Sequence, residues 1–380
     1  MRRAERVLVT GARLPSSLEI ARALHAAGAE VWAADSLTIT PTRASNCVRG
    51  YFRFPAPALH PREFRATLLE RVRSLGITQI VPVFEEVFFL AEMRAALEPH
   101  TTLFAPDLSD LRALHSKWQV LARAADCGVR IPRTSRAENA AQLRDQLARH
   151  PDSVLKPEYS RGAYQVLLPP HPAAEHATAG HFPWLVQEML TGRELSTFAI
   201  TCGGNVLACA SYLPRYRAGR GASLYFEPLE SPAALSFVRK FAAKNRLTGH
   251  LSFDFMENAG ELALLECNPR VTSGVHLLRS NEPWGRVYRG EAVEMRAHAE
   301  PGCSKTAVLA LHGIPALLQG RGKDLLADLR RARDTCFRGD DPLPSIAFPL
   351  NGIEIMLRSL AWPVKSKHAY SFDLEWNGGE

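Results

Sequence analysis

Residues 261–274 read ELALLECNPRVTSG, and this stretch decides the fold. An apolar run at 262–265 delivers Glu266, and Asn268 and Arg270 occupy the next alternate positions. In an extended segment alternate side chains project to one face. That face presents an acid and an amide oxygen for a hard cation, with a guanidinium beside them for an anion. Upstream, residues 252–255 (SFDF) carry a further acid, Asp254. Two strands that each hand an oxygen ligand to one point predict a Mg²⁺ site facing a triphosphate.

The remaining sequence surrounds this motif with ordinary globular material. At 380 residues and 46% hydrophobic, the chain can bury a large core in two or three domains. No apolar run approaches the ~18 residues that a membrane span needs. The opening MRRAERVLVTGAR has too short an apolar core for a signal peptide. Seven cysteines, an odd number without paired spacing, argue against a disulfide framework, and Cys202 and Cys209 read as packing in a hairpin. A cytoplasmic protein is expected. The net charge of +7 comes from dispersed arginines, which does not point to nucleic acid and fits several anionic ligands equally well.

Residues 1–106 alternate strand and helix, which predicts a small parallel sheet. Strands are expected at 6–10, 30–34, 77–83 and 101–104. Helices are expected from a Ser16 or Ser17 cap to about Ala27, with Gly28 as the stop, and at 64–75 and 85–97. From Asp107 the pattern changes to an α+β arrangement. Helices at 109–114, 117–127, 137–149 and 231–245 accompany strands at 153–156, 165–168, 184–188, 194–201, 206–212, 251–256 and 262–267. Residues 169–179 read as a surface loop. Residues 323–333 form a basic amphipathic helix, and 347–360 are apolar but contain Pro349 and Gly352. Residues 370–376 (YSFDLEW) alternate like a strand. The fold class is α/β and α+β. The domains are 1–106, 107–300 (as 107–190 and 191–300) and a C-terminal extension at 301–380 that packs on the core or serves as a lid.

Further groups suit anion and nucleotide chemistry. Lys117 starts a helix in LHSKWQVL, and Lys156 ends a strand in VLKP. Flanked by apolar residues and Pro157, Lys156 has a half-buried stem and a head aimed at an anion. The following turn, EYSRGA, can offer backbone N–H groups to phosphate. In VQEMLTGREL a strand ends at a Gly192 turn and the next begins with Glu194. The loop LPRYRAGRGAS places Arg215, Arg217 and Arg220 among glycines, as an anion-binding or a solvated loop. Thr272, Ser273 and Gly274 can shape an acceptor pocket. Glu85 and Glu86 follow a parallel strand, where ligands often bind, although acids in a helix's first turn are also favoured by its dipole.

The ordered set Lys117, VLKP at Lys156, QEMLTGRE, SFDF at Asp254 and ECNPR resembles the ATP-grasp superfamily, and ECNPR resembles its carbamoyl-phosphate-synthase and biotin-carboxylase branch. The resemblance runs from about Arg6 to His276, with the leading α/β segment similar to the small domain that precedes the ATP-grasp fold. It implies that Lys117 and Lys156 contact ATP phosphates beneath a flap of Tyr159, Ser160, Arg161 and Gly162. It implies an adenine slot lined by Gln187, Glu188, Met189 and Leu190, with Glu194 on the ribose and Arg215 near the nucleotide. Asp254, Glu266 and Asn268 are the implied ligands of Mg²⁺ (or Mn²⁺). Arg270 and Lys156 are the implied catalytic pair. Arg217, Thr272, Ser273, Gly274, Glu85 and Glu86 are the candidate substrate contacts. The flap departs from the family in having one glycine beside Arg161, and residue 116 is Ser where an acid often precedes the first lysine.

The resemblance implies an ATP-dependent carboxylate–amine ligase working through an acyl phosphate, with small-molecule carboxylate and amine substrates. It is compatible with a homodimer paired through the first domain. A bicarbonate-activating carboxylase is the alternative. A non-catalytic nucleotide sensor on the same scaffold is a rival that a complete metal-ligand set disfavours. An NAD(P)-dependent oxidoreductase is suggested by VLVTGAR and Asp35, but no second glycine follows Gly11 at the required spacing.

Overall fold

The computed structural model describes residues 5–160, 166–171, 182–218, 223–360 and 370–376. Its first domain is a five-stranded sheet of β1 (Arg6–Thr10), β2 (Glu30–Asp35), β3 (Val48–Arg53), β4 (Gln79–Val81) and β5 (Thr102–Leu103). The order is β3-β2-β1-β4-β5 and every pairing is parallel. Val7, Leu8 and Val9 are fully buried because parallel strands are covered on both faces. The strand order reverses between β1 and β4, which leaves a crevice beyond their carboxyl ends.

Three local features differ from expectation. Strand β3 is absent from the sequence reading, because Gly50 breaks the apolar pattern of VRGYFR. The glycine lies against Trp32, whose Cζ3 would be 2.3 Å from an added Cβ. Neither serine caps the first helix, Pro15–Ala26; Leu14 is the cap residue, and Ser17 Oγ donates instead to the Gly11 carbonyl at 2.6 Å. The expected helix at 85–97 is two helices, Glu86–Glu92 and Arg94–Leu97, joined at Met93.

The second region is a three-stranded antiparallel sheet, β6 (Thr134–Ala137), β7 (Ser153–Pro157) and β8 (Trp184–Glu188), in the order β6-β8-β7. Helix Ala140–Arg149 covers it, capped by Asn139, which accepts from the Gln142 amide. Of the strand expected at 165–168, Leu167 makes an isolated antiparallel bridge to Leu155, and residue 165 lies outside the described residues.

Gly192, at φ +147°, leads into the third region, a seven-stranded sheet. Its strands are β9 (Arg193–Cys202), β10 (Asn205–Arg217), β11 (Ser223–Pro228), β12 (Gly249–Asn258) and β13 (Glu261–Asn268), extended by short β16 (Gly302–Cys303) and β17 (Arg333–Asp334). Between β13 and β16, β14 (Leu278–Arg279) and β15 (Arg296–Ala297) form a separate pair. The order is β13-β12-β9-β10-β11-β16-β17, so this sheet continues past residue 300. Helix Pro232–Asn245 packs Phe237 and Phe241 edge-on against Phe253. Ser231 caps it by accepting from the Ala234 amide.

The C-terminal residues supply helices Lys305–Leu318, Gly322–Arg331 and Leu343–Ser359. Residues 370–376 form a turn rather than the expected strand. Their alternation reflects apolar Leu374 and Trp376 buried in the first domain while Asp373 reaches Arg13. No described helix is long and apolar enough to cross a membrane. All seven cysteines are free.

Candidate functional site

The antiparallel register of β12 and β13 sets Asp254 directly opposite Glu266 and Ser252 opposite Asn268. The Asn268 amide nitrogen donates to Asp254 Oδ2 at 3.2 Å and to Glu266 Oε1 at 3.4 Å. The three predicted metal ligands therefore meet at one point. On the neighbouring strand β9, Ser196 Oγ donates to Asp254 Oδ1 at 2.5 Å, a partner that no sequence pattern announced. Among the described residues no three His, Cys, Asp or Glu side chains cluster, so the corner has two acids and an amide.

Two lysines approach from other elements. Lys117 follows helix Leu108–His115, and its Nζ lies 3.2 Å from Glu266 Oε2 while also donating to the Ser160 carbonyl. Lys156, buried at the end of β7, donates from Nζ to the Leu265 carbonyl at 3.1 Å. Burial lowers the Lys156 ammonium to about 8; Glu266 opposes this shift and the like charge of Lys117 adds to it.

The acids respond in opposite directions. Burial first, and then the facing carboxylate of Glu266, hold the Asp254 carboxyl well above the usual range. Burial also acts to raise Glu266, but the two lysines, Lys117 first, pull it below the usual range. Two facing carboxylates pushed in opposite directions are groups whose charge a divalent cation would balance. The donor set fits Mg²⁺: hard oxygens, two of them carboxylates, with an amide whose half-turn exchanges nitrogen for oxygen.

Arg270 links this corner to the first domain. Its Nη2 donates to Asn268 Oδ1 at 3.2 Å, its Nε lies 3.6 Å from Glu85 Oε1, and its guanidinium sits 4.8 Å over the Phe84 ring. Glu85 is buried and also accepts from the Trp376 amide at 3.2 Å. Trp376 stacks on Phe88 at 4.5 Å and meets Tyr159 edge-on at 5.9 Å. The Phe84–Glu85–Trp376 wall was not legible in the sequence, because its parts are nearly 300 residues apart.

Other predicted positions have different surroundings. Glu86 is fully buried, and its Oε1 accepts from Thr10 Oγ1 at 2.6 Å and from the Val83 amide at 3.0 Å. It ties the β4 turn to β1 and is not placed to meet a substrate. Gly274 is buried too: an added Cβ would lie 2.5 Å from the Phe198 Cβ, so the glycine serves close packing rather than a flexible pocket. Thr272 Oγ1 is 3.0 Å from Ser252 Oγ, at the edge of the corner, whereas Ser273 Oγ donates to the Ser223 carbonyl at 3.3 Å.

Arg215 pairs with Asp328 at 2.9 Å and Glu227 at 3.2 Å, so it anchors helix Gly322–Arg331 instead of reaching toward the acids. Arg217 pairs with Glu194, so the residues assigned to substrate and ribose neutralise each other in this arrangement. Gln187 is buried and donates to Thr134 Oγ1 at 2.9 Å. The Glu188 carboxylate pairs with Arg130 at 2.8 Å and Arg133 at 3.4 Å, leaving its expected adenine contact to the backbone. Met189 is exposed and Leu190 half-buried, at the passage from β8 to β9. Tyr159 and Ser160 flank the lysines; Arg161 and Gly162 lie outside the described residues, as does Arg220.

Comparison with known proteins agrees with this geometry. Residues 114–274 match the family model described as "ATP-grasp domain". No curated protein sequence matches the chain. Among solved structures the chain is similar to N5-carboxyaminoimidazole ribonucleotide synthetase from Thermus thermophilus, at 18% identity and a TM-score of 0.59, covering 78% of this chain and 81% of that one. It is similar to the biotin carboxylase domain of 2-oxoglutarate carboxylase from Hydrogenobacter thermophilus, at 14% identity and a TM-score of 0.61, covering 79% and 74%. It is also similar to the L-amino acid ligase from Bacillus licheniformis, at 12% identity and a TM-score of 0.57, covering 78% and 76%. With the acid corner, its two lysines and the two flanking antiparallel sheets in place, residues 114–274 of this chain are an ATP-grasp domain.

Proposed function

We propose that the chain is an ATP-dependent carboxylate–amine ligase that forms an amide bond and releases ADP and phosphate. The observation that carries this reading is the convergence of Asp254, Glu266 and Asn268 with Lys117 and with Arg270 at one corner. A carboxylate is a poor electrophile near neutral pH, and transfer of the γ-phosphoryl group gives it a good leaving group. The protein's part in such a transfer is positioning and charge neutralisation.

Asp254, Glu266 and Asn268 would hold Mg²⁺, which when bound supplies charge neutralisation at the phosphate oxygens. Lys117 exchanges Glu266 for a phosphate oxygen, and Lys156 presents its ammonium from beneath the same edge. Arg270, between Asn268 and Glu85, orients the acid to be phosphorylated. Tyr159, packed on Trp376, helps to keep water from the activated acyl group. An amine then attacks the acyl carbon and phosphate departs.

The test is ADP release from ATP and Mg²⁺ against pooled carboxylates and amines, followed by mass analysis of the product. Turnover that persists in Lys156→Ala would remove the site assignment. Nucleotide binding without turnover in every pool would instead leave a sensor. A bicarbonate-activating reaction draws support from the likeness to a biotin carboxylase domain. ADP release that requires bicarbonate and no amine would establish it over the ligase.

A further inference from the structure

Glu158 is a buried acid to which the metal corner gives no task. It is the first residue after β7, at the head of the turn EYSRGA, and its side chain is 1% exposed. Burying a carboxylate costs stability unless its oxygens find partners. Both oxygens have one. Ser116 Oγ donates to Oε1, and Arg136 Nε, on β6, donates to Oε2 at 2.6 Å. The main chain is held as well. The Glu158 amide donates to the Pro183 carbonyl at 3.1 Å, and its carbonyl accepts from the Lys117 amide at 3.2 Å.

These contacts join two parts of the molecule. Glu158 and Arg136 belong to the three-stranded sheet, and Pro183 enters it at β8. Ser116 and Lys117 lead into helix Gln119–Ala124, whose Val120, Leu121 and Ala124 are buried with Leu262 and Leu264 of β13. Ser116 Oγ also accepts from the Gln119 amide at 3.0 Å, which ties the carboxylate to the start of that helix. Glu158 thus pins one sheet to an element seated on the other. Position 116 is serine where an acid is expected, and the fold brings an acid to that serine from 42 positions away.

The consequence falls on Lys117. Its ammonium lies between the Ser160 carbonyl on one side and Glu266 Oε2, at 3.2 Å, on the other. A lysine is a compact charge on a flexible four-carbon stem, so its reach is set by where its main chain is held. The Glu158 carbonyl holds the Lys117 amide, and the Glu158 carboxylate holds the residue before it. An apolar side chain at 158 fills the same space but fastens neither Ser116 nor Arg136.

We propose that Glu158 is a positioning residue of the nucleotide site, fixing Lys117 between the turn after β7 and the metal corner so that its ammonium meets a phosphate oxygen. This rests on the assignment of Lys117 to phosphate under the ligase reading. Glu158 itself touches no nucleotide and acts through Ser116 and Lys117. A carboxylate that served only the packing of the three-stranded sheet changes stability, and its effect on ligand affinity is independent of Lys117.

The test is a double-mutant cycle in the full chain, read by titration calorimetry as affinity for adenylyl imidodiphosphate with Mg²⁺. Lys117→Ala should weaken binding about 10²-fold. Glu158→Met keeps an unbranched side chain and removes both hydrogen bonds. It should weaken binding about tenfold in the wild-type background and by less than about twofold in the Lys117→Ala background, because residues that act through one another do not add. Ser116→Ala should behave as Glu158→Met does, and it takes the same place in the cycle if Glu158→Met does not fold. Effects that multiply independently, or wild-type affinity in the Glu158 and Ser116 variants, overturn the proposal and leave Lys117 on the phosphates. Wild-type affinity in Lys117→Ala removes that assignment and the proposal together.

Discussion

The carboxyl ends of β1 and β2 and the ends of β12 and β13 both collect opposite charges, and they treat them differently. In the first domain Arg13 is fully buried between Asp35, at 2.5 Å, and Asp373, at 2.6 Å. Ser36 donates to Asp373 as well, and Leu374 and Trp376 seal the crevice. Arg13, Asp35 and Asp373 are paired with one another inside the fold. At the β12–β13 corner the acids face each other, one carboxyl pushed above its usual range and the other below it, with lysines arranged around them. A strand-end cluster that satisfies itself is architecture. One that sets like charges opposite each other beside lysines has the chemistry to bind a cation and an anion, and a polar crevice does not by itself identify a binding site.

The largest expected effect lies in the sealed cluster. Asp373→Ala leaves Arg13 buried with one carboxylate fewer, and removing one partner of a buried pair costs about 3–5 kcal/mol. Urea unfolding should show that loss, while ADP affinity of the folded fraction stays at the wild-type value. A loss below about 1 kcal/mol would show that the first-domain cluster is not structural, and the contrast would collapse.

Next comes the open corner. Glu266→Gln should lower ADP release by about 10²–10³-fold with little change in unfolding midpoint. The reverse pattern, lost stability and intact turnover, would make the corner architecture too. Gly192→Ala should destabilise by roughly 1–3 kcal/mol, because φ is +147° and the Cβ would lie 2.2 Å from the Glu257 carbonyl oxygen. A neutral result would mean that the passage into β9 has room to relax.

The smallest effect is in pH dependence. Metal binding needs Asp254 ionised, and its carboxyl is held above the usual range, so MgADP affinity should climb as pH rises from about 5.5 toward neutrality. Phosphate binding needs Lys156 charged, and its ammonium is lowered to about 8, so affinity should fall again beyond that value. Titration calorimetry should therefore give a bell with changes of up to about tenfold per limb. A flat profile would show that the opposed acids are not coupled to the ligand. For Lys156 itself the linkage has the opposite sense in stability: its folded-state value lies below the unfolded one, so deprotonation between about 8 and 10.5 relieves the burial penalty.

What the sequence disclosed divides along the same line. Glu266 and Asn268 were legible because polar residues at alternate positions end an apolar strand, and strand periodicity places both on one face; Arg270 lies in the bend beyond the strand, where its amide donates to the Asn268 carbonyl at 2.8 Å. The facing position of Asp254 and Glu266 needs an antiparallel register, which the order of SFDF and ECNPR only suggested. Glu86 and Gly274 were misread as substrate contacts, because burial against Thr10 in one case and Phe198 in the other is a long-range fact. Arg215 looked free among glycines until Asp328 arrived from another helix. Residues 370–376 had a strand's alternation, but burial under Phe88 and pairing with Arg13 produce that pattern in a turn.

The Arg13–Asp373 pair also bears on biosynthesis. The residue that balances Arg13 is translated 360 positions later. At roughly 5–20 residues per second the first domain therefore spends about 20–70 s on the ribosome with a cation at its centre and only Asp35 to match it. Completion of the β1–β5 region is thereby made contingent on arrival of residues 370–376, and nascent chains arrested before that point should be cut readily by protease between residues 5 and 106.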